Sequence, residues 1–272
     1  MRNKVKIYCF SSLILALILT LLRCVSLTAF YDAQIGYFNS AFIVTLMNAL
    51  YVIGSLWCIS ALIFIPKASI ETKFTPSSVW EKSASMFATV LFLFSAVSIF
   101  TASNSSRFGL AIALSVLISA SFFILTVPKS KTAENIRAFA SIAIVATLTI
   151  ILASLYFDMT IAMNSPNKIH GSFVLMSAMI FALCETRTYL GKPLARIHLA
   201  SALLTFTLGI SFSVSAVAYI FTSHPSAFAS NPVILGNIGY VGIIIGISVY
   251  ALSRSFTFTD AQPNQAAETD NP

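Results

Sequence analysis

Apolar runs of about twenty residues recur along the whole chain, divided by short polar stretches that carry most of the charge. Each run is close to the ~20 residues a helix needs to cross a bilayer. None shows the two-residue alternation, over about ten residues, that marks a barrel strand. The pattern predicts an all-α integral membrane protein, a bundle of eight transmembrane helices. They are expected over 7–30, 40–65, 83–103, 107–127, 137–157, 169–190, 195–222 and 231–252. Residues 1–256 form one polytopic membrane domain. The polar stretch 257–272, with its acids and prolines, reads as a disordered cytoplasmic tail.

Arg2, Lys4 and Lys6 before an apolar core resemble the start of a signal peptide. The apolar run continues past Arg23 to Phe30 and has no small-residue cleavage site, so a retained first helix is expected. Arg23, directly before Cys24, also argues against a lipoprotein cysteine there.

Composition agrees with the pattern. Of 272 residues, 57% are hydrophobic and 9% charged, against roughly 25% charged in soluble domains. The net charge of +7 would suggest nucleic acid in a soluble protein. Here the basic residues lie between apolar segments and act as topology signals, so no nucleic-acid partner is expected. With the N-terminus inside, thirteen of the 16 Lys and Arg residues fall on the cytoplasmic side. They are Arg2, Lys4, Lys6, Lys67, Lys73, Lys82, Lys129, Lys131, Arg137, Arg187, Lys192, Arg196 and Arg254. The positive-inside rule then places both termini in the cytoplasm, in a cell (plasma) membrane, which requires an even number of spans. Cys9, Cys24, Cys58 and Cys184 all lie in apolar segments without a paired motif, as small buried side chains do.

The two halves echo each other. Phe30-Tyr31-Asp32, Ile35 and Asn39-Ser40 are matched by Tyr156-Phe157-Asp158, Ile161 and Asn164-Ser165. Each set follows an odd-numbered span on the outer face. The echo fits two parallel four-helix repeats, 1–130 and 131–256, or simply shared helix-end chemistry.

Few residues offer chemistry. Arg23 lies roughly 12 Å below the outer end of its helix at 1.5 Å per residue. A charge at mid-span costs about 2.5–3.5 kcal/mol. It either snorkels to the headgroups or pairs with an acid, and Asp32 and Asp158 are the acids on that face. Asp158, Asn164, Asn167 and Lys168 gather at the outer mouth, either as turn chemistry around Pro166 or as a polar vestibule for a cation or solute. Glu185, near the inner end of span six, is either an interfacial charge, a partner for a base on another helix, or a proton acceptor. Thr207, Ser211 and Ser215 share one face of span seven, as in close helix packing. Span eight carries Gly236, Gly239, Gly242 and Gly246, a face for close approach within the bundle or in an oligomer.

No His-Glu-x-x-His, Gly-x-Ser-x-Gly, phosphate loop or Cys-x-x-Cys occurs, and no histidine pair suits haem. No catalytic residue, metal or cofactor is expected. Three readings stay open: binding or transport of an ion, polar metabolite or lipid; a non-catalytic accessory subunit; and, third, an intramembrane enzyme using Asp158 or Glu185. The candidate binding residues are Arg23, Asp32, Asp158, Asn164, Lys168 and Glu185.

Overall fold

The computed structural model describes residues 4–32, 37–65, 79–102, 107–126, 131–157, 165–223 and 238–258. They form eight helices: α1 (Lys4–Phe30), α2 (Ala41–Phe64), α3 (Val79–Ala102), α4 (Arg107–Ile124), α5 (Lys131–Phe157), α6 (Pro166–Tyr189), α7 (Ala195–Ser223) and α8 (Ile238–Ser255). Seven of them are long and apolar enough to cross a membrane. The eighth, α4, contributes a shorter apolar stretch, Gly109–Ile124. A two-residue hairpin, β1 (Tyr31–Asp32) with β2 (Tyr37–Phe38), joins α1 to α2, with Tyr31 opposite Phe38.

Local chemistry fixes several boundaries. Ser40 is the N-cap of α2, its hydroxyl accepting from the Ile43 amide. Pro166 opens α6, where its missing N–H costs nothing. At the other end of α6, Gly191 adopts φ 74°. The Lys192 amide returns to the Arg187 carbonyl and the Gly191 amide to that of Thr188. This is a Schellman closure, which lets α7 begin four residues later.

The helices interlock as a ring, α3–α4–α5–α6–α7–α8, closed by the α3–α8 contact, with α6 also touching α8. The α1–α2 pair lies outside this ring against α7. Accordingly α7 and α8 are each 72% buried over their apolar windows, and α2 only 22%. The contact of α1 with α7 has no comparable counterpart between α5 and α3, the helices a four-plus-four repeat would equate with them.

Outward faces are apolar. Ile14, Leu17, Leu21 and Val25 on α1 are more than half exposed, as are Val90 and Val97 on α3. A continuous apolar belt on this scale calls for lipid, not water. Inside, Ser and Thr hydroxyls mostly donate to carbonyls one turn back, as Thr20 does to Ala16 and Ser215 to Ser211. Their polar groups are thereby satisfied within their own helix.

The glycine face of α8 is taken up inside the chain. Gly242 meets Ser95 of α3, and Gly246 packs on Ala88 and Phe92 of the same helix. Gly209 of α7 meets Ser248 of α8. Gly239 is buried on α8, and Gly236 lies outside the described residues. After α8, Phe258 is buried against His198, so ordered packing extends past 256. The rest of the expected tail lies outside the described residues.

Candidate functional site

Two buried polar constellations occupy opposite ends of the bundle, and both are built on α6 and α7.

At one end stands Arg23 of α1, with no solvent exposure. Its two terminal nitrogens donate to the Nδ1 of His170 at 2.8 Å and to the Oδ1 of Asn167 at 2.7 Å. Both acceptors lie within the first five residues of α6. The guanidinium plane rests 4.7 Å from the Phe212 ring centroid of α7. Arginine only donates, so the His170 Nδ1 must accept. The proton therefore sits on Nε2, which donates to the Asn48 Oδ1 of α2 at 3.0 Å. Tyr51, one turn along α2, stacks on the His170 ring at 4.5 Å and 9°. Its hydroxyl lies 2.9 Å from that of Ser211. Since Ser211 donates to the Leu208 carbonyl, Tyr51 is the donor between them. One cation thus organises α1, α2, α6 and α7.

The expected ion pair with Asp32 is not formed; the alternative pair with Asp158 lies outside the described residues. Among the described residues no carboxylate lies within ion-pair distance of Arg23. Asp32 is carried on the hairpin beyond the end of α1, while Asn167 and His170, three residues apart on one face of α6, reach the guanidinium directly. Asp158 and Asn164 lie outside the described residues. Lys168 is buried in the first turn of α6. Among the described residues Arg23 Nε has no hydrogen-bond partner, while Asn167 Nδ2 and the Tyr31 hydroxyl lie near each other without a close hydrogen bond. Burial, with Tyr219 and the Asp32 charge, pushes the Tyr31 phenol up from its ordinary value, while the Asn167 side chain and the Arg23 charge pull the other way. It therefore remains a proton donor at neutral pH.

At the other end α3 and α7 begin and α6 and α8 finish. Arg254 donates from Nε to Glu185 Oε1 at 2.7 Å and from one terminal nitrogen to Glu81 Oε1 at 3.0 Å. The same Glu185 oxygen lies 3.0 Å from His198 Nε2. The Nδ1 of His198 faces the Thr188 hydroxyl at 3.4 Å, and that hydroxyl already donates to the Cys184 carbonyl. Arg137 donates to the Tyr250 hydroxyl at 2.9 Å and stacks over Tyr189 at 4.4 Å. Glu81, Arg137, Glu185, His198 and Arg254 are all at most 2% exposed. Beside them Glu185, Ser141 and Tyr250 help line a cavity of about 10 Å³, the space of one water molecule. Glu185 Oε2 has no hydrogen-bond partner.

Glu185 is therefore no interfacial charge; it is paired with bases on α7 and α8. Arg137 and Arg254, which read as topology signals, are buried, because α3, α5 and α8 run past the expected spans and neighbouring helices cover their ends. Glu81, Asn48, His170 and His198 carry no distinguishing spacing in the sequence. Only their proximity across helices identifies them.

No metal-ligating group of three or more His, Cys, Asp or Glu occurs among the described residues. Comparison with protein-family models, with curated proteins and with solved structures finds no match.

Proposed function

We propose that this protein binds a small polar solute within the bilayer and carries it across. The observation that supports the reading is the pair of buried polar constellations at the two ends of α6 and α7. Ionisable groups inside a membrane bundle are costly and mark solute paths more often than scaffolding. The buried hydrogen-bonding and ionic side chains tied to α6 and α7, among them Arg23, Asn167, His170, Glu185, His198 and Arg254, exceed what helix association needs, since small residues already provide close packing between α3 and α8.

In this reading all eight helices cross a plasma membrane with both termini cytoplasmic. The Arg23 end is the outer binding side. The Glu81–Arg254–Glu185–His198 network closes the inner side, and its hydrogen bonds must part for release. The glycine face of α8, which could have served an accessory subunit, is already occupied by α3.

The test is flux in proteoliposomes of purified protein, using labelled carboxylates, phosphate, amines and sugars in turn. We expect saturable uptake of one class. Glu185→Gln should abolish uptake while leaving binding from the Arg23 side in place. Leak-level flux for every class would overturn the reading.

A further inference from the structure

The Arg23 end holds a positive charge whose partners among the described residues are all neutral. His170 is fixed as a neutral acceptor by the donor facing it, and Asn167 contributes an amide oxygen. Phe212 covers one face. An isolated charge taken out of water is expensive, and it is normally offset by an opposite charge with further hydrogen bonds. Here the offset supplied by the protein is incomplete, because Arg23 Nε has no acceptor.

The unpartnered groups nearby are chemically one-sided. Arg23 Nε and Asn167 Nδ2 are donors, both on side chains with no solvent exposure. The Tyr31 hydroxyl, near the Asn167 side chain but without a close hydrogen bond to it, is a further donor. A cation site would present oxygens instead. The first turn of α6 adds the positive end of a 24-residue helix.

We infer that Arg23, Asn167 and Tyr31 form a binding site for the oxyanion group, carboxylate or phosphate, of a small water-soluble solute. The planar guanidinium fork suits such a group. A lipid headgroup fits less well, because Arg23 is enclosed by α1, α2, α6 and α7 and none of it faces the bilayer. The inference rests on the transport reading for its biological purpose, but the site itself is testable without flux.

The experiment is thermal unfolding of the full chain in nanodiscs of phosphatidylcholine, titrated with succinate, phosphate or, at matched ionic strength, chloride and ammonium. We expect saturable stabilisation by succinate or phosphate. Arg23→Lys, which keeps the charge and loses the fork, should weaken it on the order of tenfold. Because Arg23 variants risk poor folding, Asn167→Asp provides the second arm. It places a carboxylate beside Arg23, so unliganded stability should rise and the anion-dependent shift should disappear.

Asn167→Asp that lowers stability, or an anion shift unaffected by it, would overturn the assignment. So would stabilisation by ammonium alone, or a shift that appears only when phosphatidylglycerol is added to the discs. Anion binding without flux would uphold the site and overturn the transport reading. Flux of an uncharged or cationic solute that survives Asn167→Asp would do the reverse.

Discussion

Arg23 and Arg254 are both buried guanidinium groups, yet they are held in opposite ways. Arg254 sits between two carboxylates, whereas the described partners of Arg23 are neutral acceptors. Removing one member of a buried ion pair strands its partner and costs about 3–5 kcal/mol. Glu185→Gln should therefore destabilise the bundle by about that much, since Arg254 and His198 share its Oε1. Reversible unfolding in bicelles would measure it; a change below about 1 kcal/mol, the range of exposed pairs, would show that the network is not closed. Tyr51→Phe removes one neutral hydrogen bond to Ser211 and keeps the stack on His170. It should cost about 1 kcal/mol in the same assay. At this scale the sequence was partly legible. A lone arginine inside an apolar run identifies itself, and Arg23 is indeed buried. Its partners do not, because an asparagine and a histidine at a helix start look the same whether they face lipid, water or a cation. Charge attraction favoured an acid such as Asp32, but helix rotation, which composition does not reveal, turned Asn167 and His170 inward.

The helices themselves were legible to within a turn or two. Apolar length finds the part of a helix that suits hydrocarbon, and misses turns that continue beyond it. Thus α3 starts at Val79 and not 83, α5 at Lys131 and not 137. Those missed turns carry Glu81 and precede Arg137, so the boundary error and the misread charges have one cause. The end of α6 depends on the backbone of Gly191. Alanine there keeps a positive φ at a cost of about 1 kcal/mol, and Gly191→Ala should lower thermal stability accordingly. The α3–α8 seam depends on Gly246, whose Cα side faces Ala88 and Phe92 in ordinary contact. Leucine there overfills the seam, so Gly246→Leu should destabilise by about 1–3 kcal/mol or more. Both changes would be read from the unfolding midpoint in detergent. An unchanged midpoint for Gly246→Leu would mean that the two helices are not in close register.

For the molecule as a whole, the membrane class and the all-α architecture follow from hydropathy alone, because nothing else satisfies the backbone in lipid. The arrangement does not. Periodicity shows that helices have buried faces and leaves open which neighbour covers each, so the ring of six with α1 and α2 outside it was not foreseeable. Orientation rests on charge bias, and it makes a simple prediction: a fluorescent-protein fusion at the C-terminus should be bright and an alkaline phosphatase fusion inactive. The reverse pattern would invert the bundle and exchange the roles of its two ends.

The two constellations also differ in when the chain can assemble them. Glu185 and His198 are separated by 13 positions across one turn, so they can meet while the α6–α7 pair is leaving the ribosome. Arg254 then arrives near the end of α8 and completes the network. Arg23 is made early and must wait for Asn167, 144 positions later. At 5–20 residues per second that delay is about 7–29 s. During that interval a lone cation stands on the first helix with no partner. The nascent chain is therefore most vulnerable at its beginning, and Arg23→Leu should insert more readily than the native sequence even though the finished protein is worse for it.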